Sequence, residues 1–301
     1  MRNRLFSPLS DMHGMALVLT LLVVAVLTAM VVEFSYGVYI STSSLHNWQT
    51  AQRLSLLGKS VINLAAEMIS DTNNRLSYTY PGVLEFPATE PVRGFNGSAV
   101  IRIEDENAKF NLNTLMYSNG LLNENAYQSL VRLLEALEID PAIADGLADW
   151  IDPDTEPRRR DSEGKAKNGF LDSVDELLLV PGIDRKSYEA LLPYVTIYGN
   201  GLININGAAV PVLMSLSESI DREMAGRIVQ YRGHTPFEKT ENIMKVAGFE
   251  TVGTSLMGRI TVKGSAFSVL STAASGGIRN IIQCVLEMSG NRPVVKYWKE
   301  R

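Results

Sequence analysis

The chain has 301 residues, an ordinary apolar content of 46% and a formal net charge of −5. That length suits a membrane segment plus one or two globular domains, and the mild acidity argues against non-specific nucleic-acid binding. A lone cysteine, Cys284, excludes a disulfide within the chain; its place in the strand-like run 281–286 reads as a buried thiol.

Residues 1–14 form a short leader with Arg2 and Arg4, ending in Gly14. Residues 15–32 are almost wholly apolar and contain no Gly or Pro, so they read as one helix. At roughly 1.5 Å per residue that helix nearly spans a bilayer core. The arginines before it and Glu33 after it put the leader in the cytoplasm and the bulk of the chain outside. A plain transmembrane anchor is one reading. A secretory signal peptide fits less well, because the run passes directly into Glu33-Phe34-Ser35-Tyr36 instead of a small-x-small cleavage site. The third reading is a resemblance to a type IV prepilin leader, in which cleavage falls between Gly14 and Met15 and the apolar run is kept. Most pilins carry Glu at the fifth position after that cut; here it is Leu19.

The helix continues without proline to about Leu76. Leu45, Trp48, Leu54, Leu57, Val61, Leu64, Ala65 and Met68 recur at helical steps and predict one buried or partner-facing side. Gly58-Lys59-Ser60 is no phosphate loop, since Arg53 stands where a glycine is needed, and reads as helix surface. A Pro/Gly-rich stretch follows at 80–97, then an alternating strand at 98–104. Further strands are expected at 195–198, 202–205, 265–271, 278–288 and 294–298.

Between the early and late strands lies an internal repeat. Asn111-Leu112-Asn113-Thr114 matches Asn204-Ile205-Asn206-Gly207, and the segment from Leu171 to Gly182 matches that from Phe237 to Gly248. Leu177, Val180 and Gly182 correspond to Ile243, Val246 and Gly248. Ser173 and Glu176 have capping-box spacing, and the two glycines suit left-handed residues at helix ends. Each unit reads as a helix-hairpin-helix element. Such elements often bind DNA through exposed turn amides, but Asp184 and Glu250 replace the second turn glycine where a phosphate would approach. Packing and partner docking are therefore favoured over DNA binding.

The first unit carries an acidic insertion. Asp152, Asp154, Asp161, Glu163 and Asp172 supply oxygens of the kind calcium takes, six to eight at a time. Pro157 excludes an EF-hand, and Arg158, Arg159 and Arg160 allow the alternative of a neutralised, solvated loop. His13, His46 and His234 share no metal-ligand spacing, and no catalytic motif is present.

Taken with the leader, the segments 149–158, 172–182 and 193–196 and the two Asn-x-Asn motifs resemble the general secretion pathway protein K family, the minor pseudopilins of type II secretion. The resemblance implies an α+β, pilin-like fold: a long N-terminal helix on an antiparallel sheet, with a large inserted α-helical domain of helix-hairpin-helix or SAM-like repeats. Along the chain this gives a leader at 1–14, the transmembrane part of the helix at 15–37, and the rest of the helix with the first strands at 38–110. The inserted domain follows at 111–194, strands with the second repeat at 195–250, and the C-terminal strands at 251–301. The family further implies cleavage by the prepilin peptidase after Gly14, N-methylation of Met15, residence in the inner membrane and assembly with minor pseudopilins I and J at the pseudopilus tip. Leu19 agrees with a family that lacks the fifth-position Glu, and Leu45, Trp48 and Leu54 are the expected partner-facing residues. Calcium is implied in the inserted domain, although the usual Gly-Ala-Glu-Asp segment is replaced by 161–164. No enzymatic role and no nucleic-acid partner are expected. The alternatives are a DNA-binding or DNA-uptake protein and a minor pilin of a related pilus.

Overall fold

A computed structural model describes residues 11–79, 83–88, 97–154, 156–158 and 166–301. One helix, α1 (Asp11–Arg75), runs through the first quarter of the chain. Its N-terminal half touches no other element among the described residues, and every residue from 14 to 42 is exposed. Its C-terminal half lies on a sheet through Leu54, Val61, Ile62, Ala65 and Ile69. Gly58 belongs to this contact and not to the helix surface. A Cβ there would sit 2.8 Å from Ile282 Cδ1, so its missing side chain is what lets helix and sheet approach. Lys59 and Ser60 do face solvent.

The sheet is built from β1 (Val83–Ala88), β2 (Ser98–Asp105), β7 (Ala266–Ser275), β8 (Ile278–Ser289) and β9 (Arg292–Glu300), side by side in that order and antiparallel throughout. Strict alternation in β2 points Ala99, Ile101 and Ile103 at α1. From β8, Ile282, Cys284 and Leu286 complete this core. Burial pushes the Cys284 thiol up to about 11, which keeps it a protonated packing group.

Everything between β2 and β7 is a second, largely helical body. In chain order it contains β3 (Phe110–Asn111), α2 (Glu124–Ala136), α3 (Ile143–Ile151), α4 (Arg185–Leu191), β4 (Val195–Thr196), β5 (Ile203–Asn204), α5 (Val210–Ser215), α6 (Arg222–His234), α7 (Val252–Ser255) and β6 (Ile260–Thr261). One continuous apolar core runs through it from Phe110 to Val262, so the stretches 111–194 and 195–250 share a single interior. The expected strands at 195–198 and 202–205 do not join the main sheet. Two residues of each make short parallel ladders inside the helical body, β4 with β3 and β5 with β6. Their apolar residues are drawn to the nearer of two cores.

Candidate functional site

Along α1, Met15, Leu19, Leu45 and Trp48 are all exposed, Trp48 at 59%. Leu54 is not part of that face. It is 0% exposed and packed in the protein's own core. Nine residues at about 100° each put Leu45 and Leu54 on opposite sides of a helix. The self-packing stripe is the 54–61–65 line. The free apolar surface is the N-terminal half together with Leu45, Trp48, Leu56 and Leu64. Helix α1 is long and apolar enough to cross a membrane.

In the helical body the repeat seen in the sequence is a repeat of hydrogen bonds. In the first unit Asn111 Oδ1 accepts from Asn113 N (2.9 Å), and Asn113 clamps the backbone of Leu171. Its Oδ1 accepts from Leu171 N (2.8 Å) and its Nδ2 donates to Leu171 O (3.0 Å). In the second, Asn204 Oδ1 accepts from Asn206 N (3.0 Å), and Asn206 clamps Phe237 in the same way, at 2.8 and 2.9 Å. A primary amide offers an acceptor and a donor side by side for the N–H and C=O of one residue. After each clamp comes a 3₁₀ helix, Val174–Leu179 or Thr240–Lys245. Ser173 and Glu176 form the capping box predicted from their spacing. The turns that follow hold Gly182 and Gly248 at φ of 95° and 90°, the left-handed region expected of them. The Gly248 amide is not open for a phosphate, and a carboxylate stands in the other turn as well. Glu250 Oε2 accepts from Gly248 N (3.0 Å), while Asp184 Oδ1 caps α4 by accepting from Ser187 N (2.7 Å).

The first asparagine of each motif points to a different neighbour. Asn111 Nδ2 donates to Tyr198 O (3.0 Å) and Gly199 O (3.2 Å) in the connection between units. Asn204 Nδ2 donates to Asp105 Oδ2 (2.6 Å) at the end of β2 and to Thr79 Oγ1 (2.8 Å) just after α1. Asp105 is thus the polar pin between sheet and helical body. It is buried, and also accepts from Asn107 N and Thr79 Oγ1. Burial pushes its carboxyl up to about 6 against the lowering effect of these hydrogen bonds, with the Glu106 charge adding to the rise.

The acidic insertion is only partly gathered. Asp152 is 1% exposed at the C-terminal end of α3. Arg158 Nη1 bonds its Oδ2 and lies 3.2 Å from Asp149 Oδ1, while Arg158 N also donates to Asp149. Sequence reasoning passed over Asp149, although its i,i+3 spacing to Asp152 on a helix was a usable sign. Asp152 Oδ1 is buried without a hydrogen-bond partner, and burial pushes the carboxyl up against the lowering pull of Arg158. That orphaned oxygen is the donor type a hard cation takes. The other expected ligands do not converge on it. Asp154 is exposed and turns back to accept from Glu156 N (2.8 Å), and Asp172 is exposed and paired with Lys167 (2.7 Å). Asp161 and Glu163 lie outside the described residues. No group of three or more metal-ligating side chains occurs among the described residues.

Two family models, both described as type II secretion system protein K, match residues 108–200 and 203–263, together just over half of the chain. The chain belongs to the type II secretion system protein K family. The two matches coincide with the two asparagine-clamped units. Among curated relatives, type II secretion system protein K of Pseudomonas aeruginosa is 28% identical over 91% of this chain and 88% of its own length. That of Dickeya chrysanthemi is 31% identical over 42% of this chain and 41% of its own. Among solved structures, a chain of the GspK–GspI–GspJ complex of the type 2 secretion system of enterotoxigenic Escherichia coli superposes with a TM-score of 0.67. It is 23% identical and covers 86% of this chain and 99% of the other. The protein K fold is therefore this one: a long anchor-like helix, an antiparallel sheet and an inserted helical body. As a protein K, the chain is a minor pseudopilin of the secretion system.

Proposed function

We propose that this minor pseudopilin caps the tip of the pseudopilus together with minor pseudopilins I and J, and so supports export across the outer membrane. One observation carries the reading. The helix that would pack in a filament leads directly into a sheet that bears a second body as an insertion, between β2 and β7. Such bulk obstructs neighbours in a tightly wound shaft and meets none at a tip. Leu19 supports the same position. A buried carboxylate at that point is tolerable only beside a neutralising amine from a subunit ahead, and a terminal subunit has none ahead of it. Partnership with pseudopilins I and J follows the related Escherichia coli complex, and the free helix surface at Leu45 and Trp48 is where such partners would pack.

The same reading places the leader in the cytoplasm, the helix in the inner membrane and the folded body in the periplasm. It has the prepilin peptidase cut after Gly14 and Met15 N-methylated, with each unit a helix-hairpin-helix element used for packing, without catalysis or nucleic acid. Calcium belongs to this reading too, with Asp152 as the first ligand on the strength of its orphaned oxygen. The decisive experiment is quantitative mass spectrometry and immunogold labelling of pseudopili. About one copy per filament, at one end and starting at methylated Met15, is the expected result. Label spread along the shaft, or a copy number near that of the major subunit, overturns the tip assignment.

A further inference from the structure

Where the two clamped units meet there is a cavity of about 310 Å³, walled by Thr114, Asn123 and Ser129 from the first unit, Asn200 from the connection, and Ser215 and Arg259 from the second. No acidic side chain lines it among the described residues. Two guanidinium groups converge on one hydroxyl at its wall. Arg259 Nη2 donates to Ser129 Oγ at 2.6 Å, and Arg132 Nη2 donates to the same atom at 3.2 Å. Ser129 is buried, and its own proton goes to Asn125 O (2.9 Å). Arg132 is further occupied by Ser215 O (3.0 Å). Arg259 is not. Ser129 Oγ is its one side-chain acceptor among the described residues, and neither arginine has an ion-pair partner there.

A half-buried guanidinium beside a second one, with most of its N–H groups unused, is costly unless something anionic completes it. Burial and the Arg132 charge both pull the Arg259 guanidinium below its ordinary value. The surroundings favour the same sign of ligand. The N-terminus of the thirteen-residue α2 lies in the wall at Asn123 and Ala126, and it contributes partial positive charge. Glu124, the acid of that first turn, is exposed and engaged with Gln128 (2.8 Å).

We propose that this seam cavity binds a carboxylate presented by another polypeptide, as an Asp or Glu side chain or a free C-terminus. A single planar guanidinium with only one N–H engaged among the described residues matches one carboxylate, whereas a phosphate site would gather further unengaged cations. The volume stands at the lower end of ligand pockets, room for one residue. Exposed Tyr117, Asn125 and Gly258 form a rim across which a chain can lie. The site does not depend on where in the filament the protein sits.

The test is titration of the full chain in detergent micelles, labelled with ¹⁵N-arginine, following the Arg Nε–Hε resonances. The probes are acetyl-Gly-Glu-Gly-amide, acetyl-triglycine with a free C-terminus, acetyl-Gly-Gln-Gly-amide, acetate and inorganic phosphate. Saturable movement of the Arg259 signal by either acidic peptide, with a dissociation constant of order 1 mM, is expected. The glutamine peptide should be silent, and affinity should fall about tenfold in Arg259→Lys and vanish in Arg259→Gln. If Arg259→Gln does not fold, the wild type and Arg259→Lys decide alone. No saturation by either acidic peptide, equal response to the glutamine peptide, acetate binding as tightly as the acidic peptides, or phosphate binding in their place would each overturn the proposal.

Discussion

The two clamped units start from the same device and use it differently. The asparagine and the backbone it holds are 58 residues apart in the first unit and 31 in the second. Two helices fit between them in both cases, α2 and α3 or α5 and α6, so most of the excess in the first unit lies in the acidic insertion after α3. The second clamp is fully buried, and its motif is pinned to the sheet through Asp105. The first is half-buried, and beyond its clamp its motif is tied to the connection between units. A shared fastening thus serves as a foundation in one unit and as a support for an added loop in the other.

The sharpest way to break this contrast is at Arg158. Replacing it by Leu leaves Asp149 and Asp152 buried without their guanidinium, and a loss of about 4 kcal/mol in urea unfolding is expected. If the insertion binds calcium, the ion should return part of that loss in the variant and raise the melting temperature of the wild type. Identical melting curves in calcium and in chelator would remove calcium from the reading. The second unit has no counterpart of this effect.

Asp105 gives the next largest effect. Its carboxyl titrates at about 6 in the folded protein against 3.8 for an unperturbed group. Between those values the native state holds a proton that the unfolded chain releases. The contribution of the protonated group is complete below pH 3.8 and is lost as pH rises through about 6. On the order of 3 kcal/mol is at stake, at 1.36 kcal/mol per pKa unit. Chemical denaturation of wild type and Asp105→Asn across that window should show the slope in the first and a flatter line in the second. A slope that survives the substitution belongs to another group.

The smallest contrast, a difference of about 2 kcal/mol, tests the clamps themselves. Asn206→Ala strands the N–H and C=O of Phe237 in a buried setting and should cost about 3 kcal/mol. Asn113→Ala does the same to Leu171 where water can enter, and about 1 kcal/mol is expected. Equal costs in paired urea titrations would mean that the two clamps are energetically alike.

Much of this was legible in the residues. Length and apolarity specified α1, alternation specified β2, and the paired Asn-x-Asn motifs announced the repeat because a side chain that bonds backbone leaves a fixed local spacing. Tertiary choices were not legible. Helical periodicity grouped Leu45 with Leu54, yet only the position of the sheet shows where self-packing begins. The runs at 195–198 and 202–205 carry strand composition, and two available cores decided between them. Of the acidic loop, the sequence displayed the carboxylates but not that Arg158 would turn inward onto two of them. Arg132 and Arg259 are far apart in the chain, and nothing local announces that they share a hydroxyl.

The pairing of Asp105 with Phe267 across β2 and β7 also sets the order in which the molecule can form. The whole helical body is a loop closed by that ladder, so β2, which has β1 on its other side, cannot find β7 until the last strands exist. The β7–β8–β9 meander and the helical body have interiors reachable from nearby sequence, and non-local pairing is the slow step in folding. Until that step, α1 and β2 carry an open apolar edge, the surface most prone to associate with the wrong partner. The insertion that enlarges the protein therefore also times it: its own collapse brings the two ends of the sheet within reach and limits how long that edge stays bare.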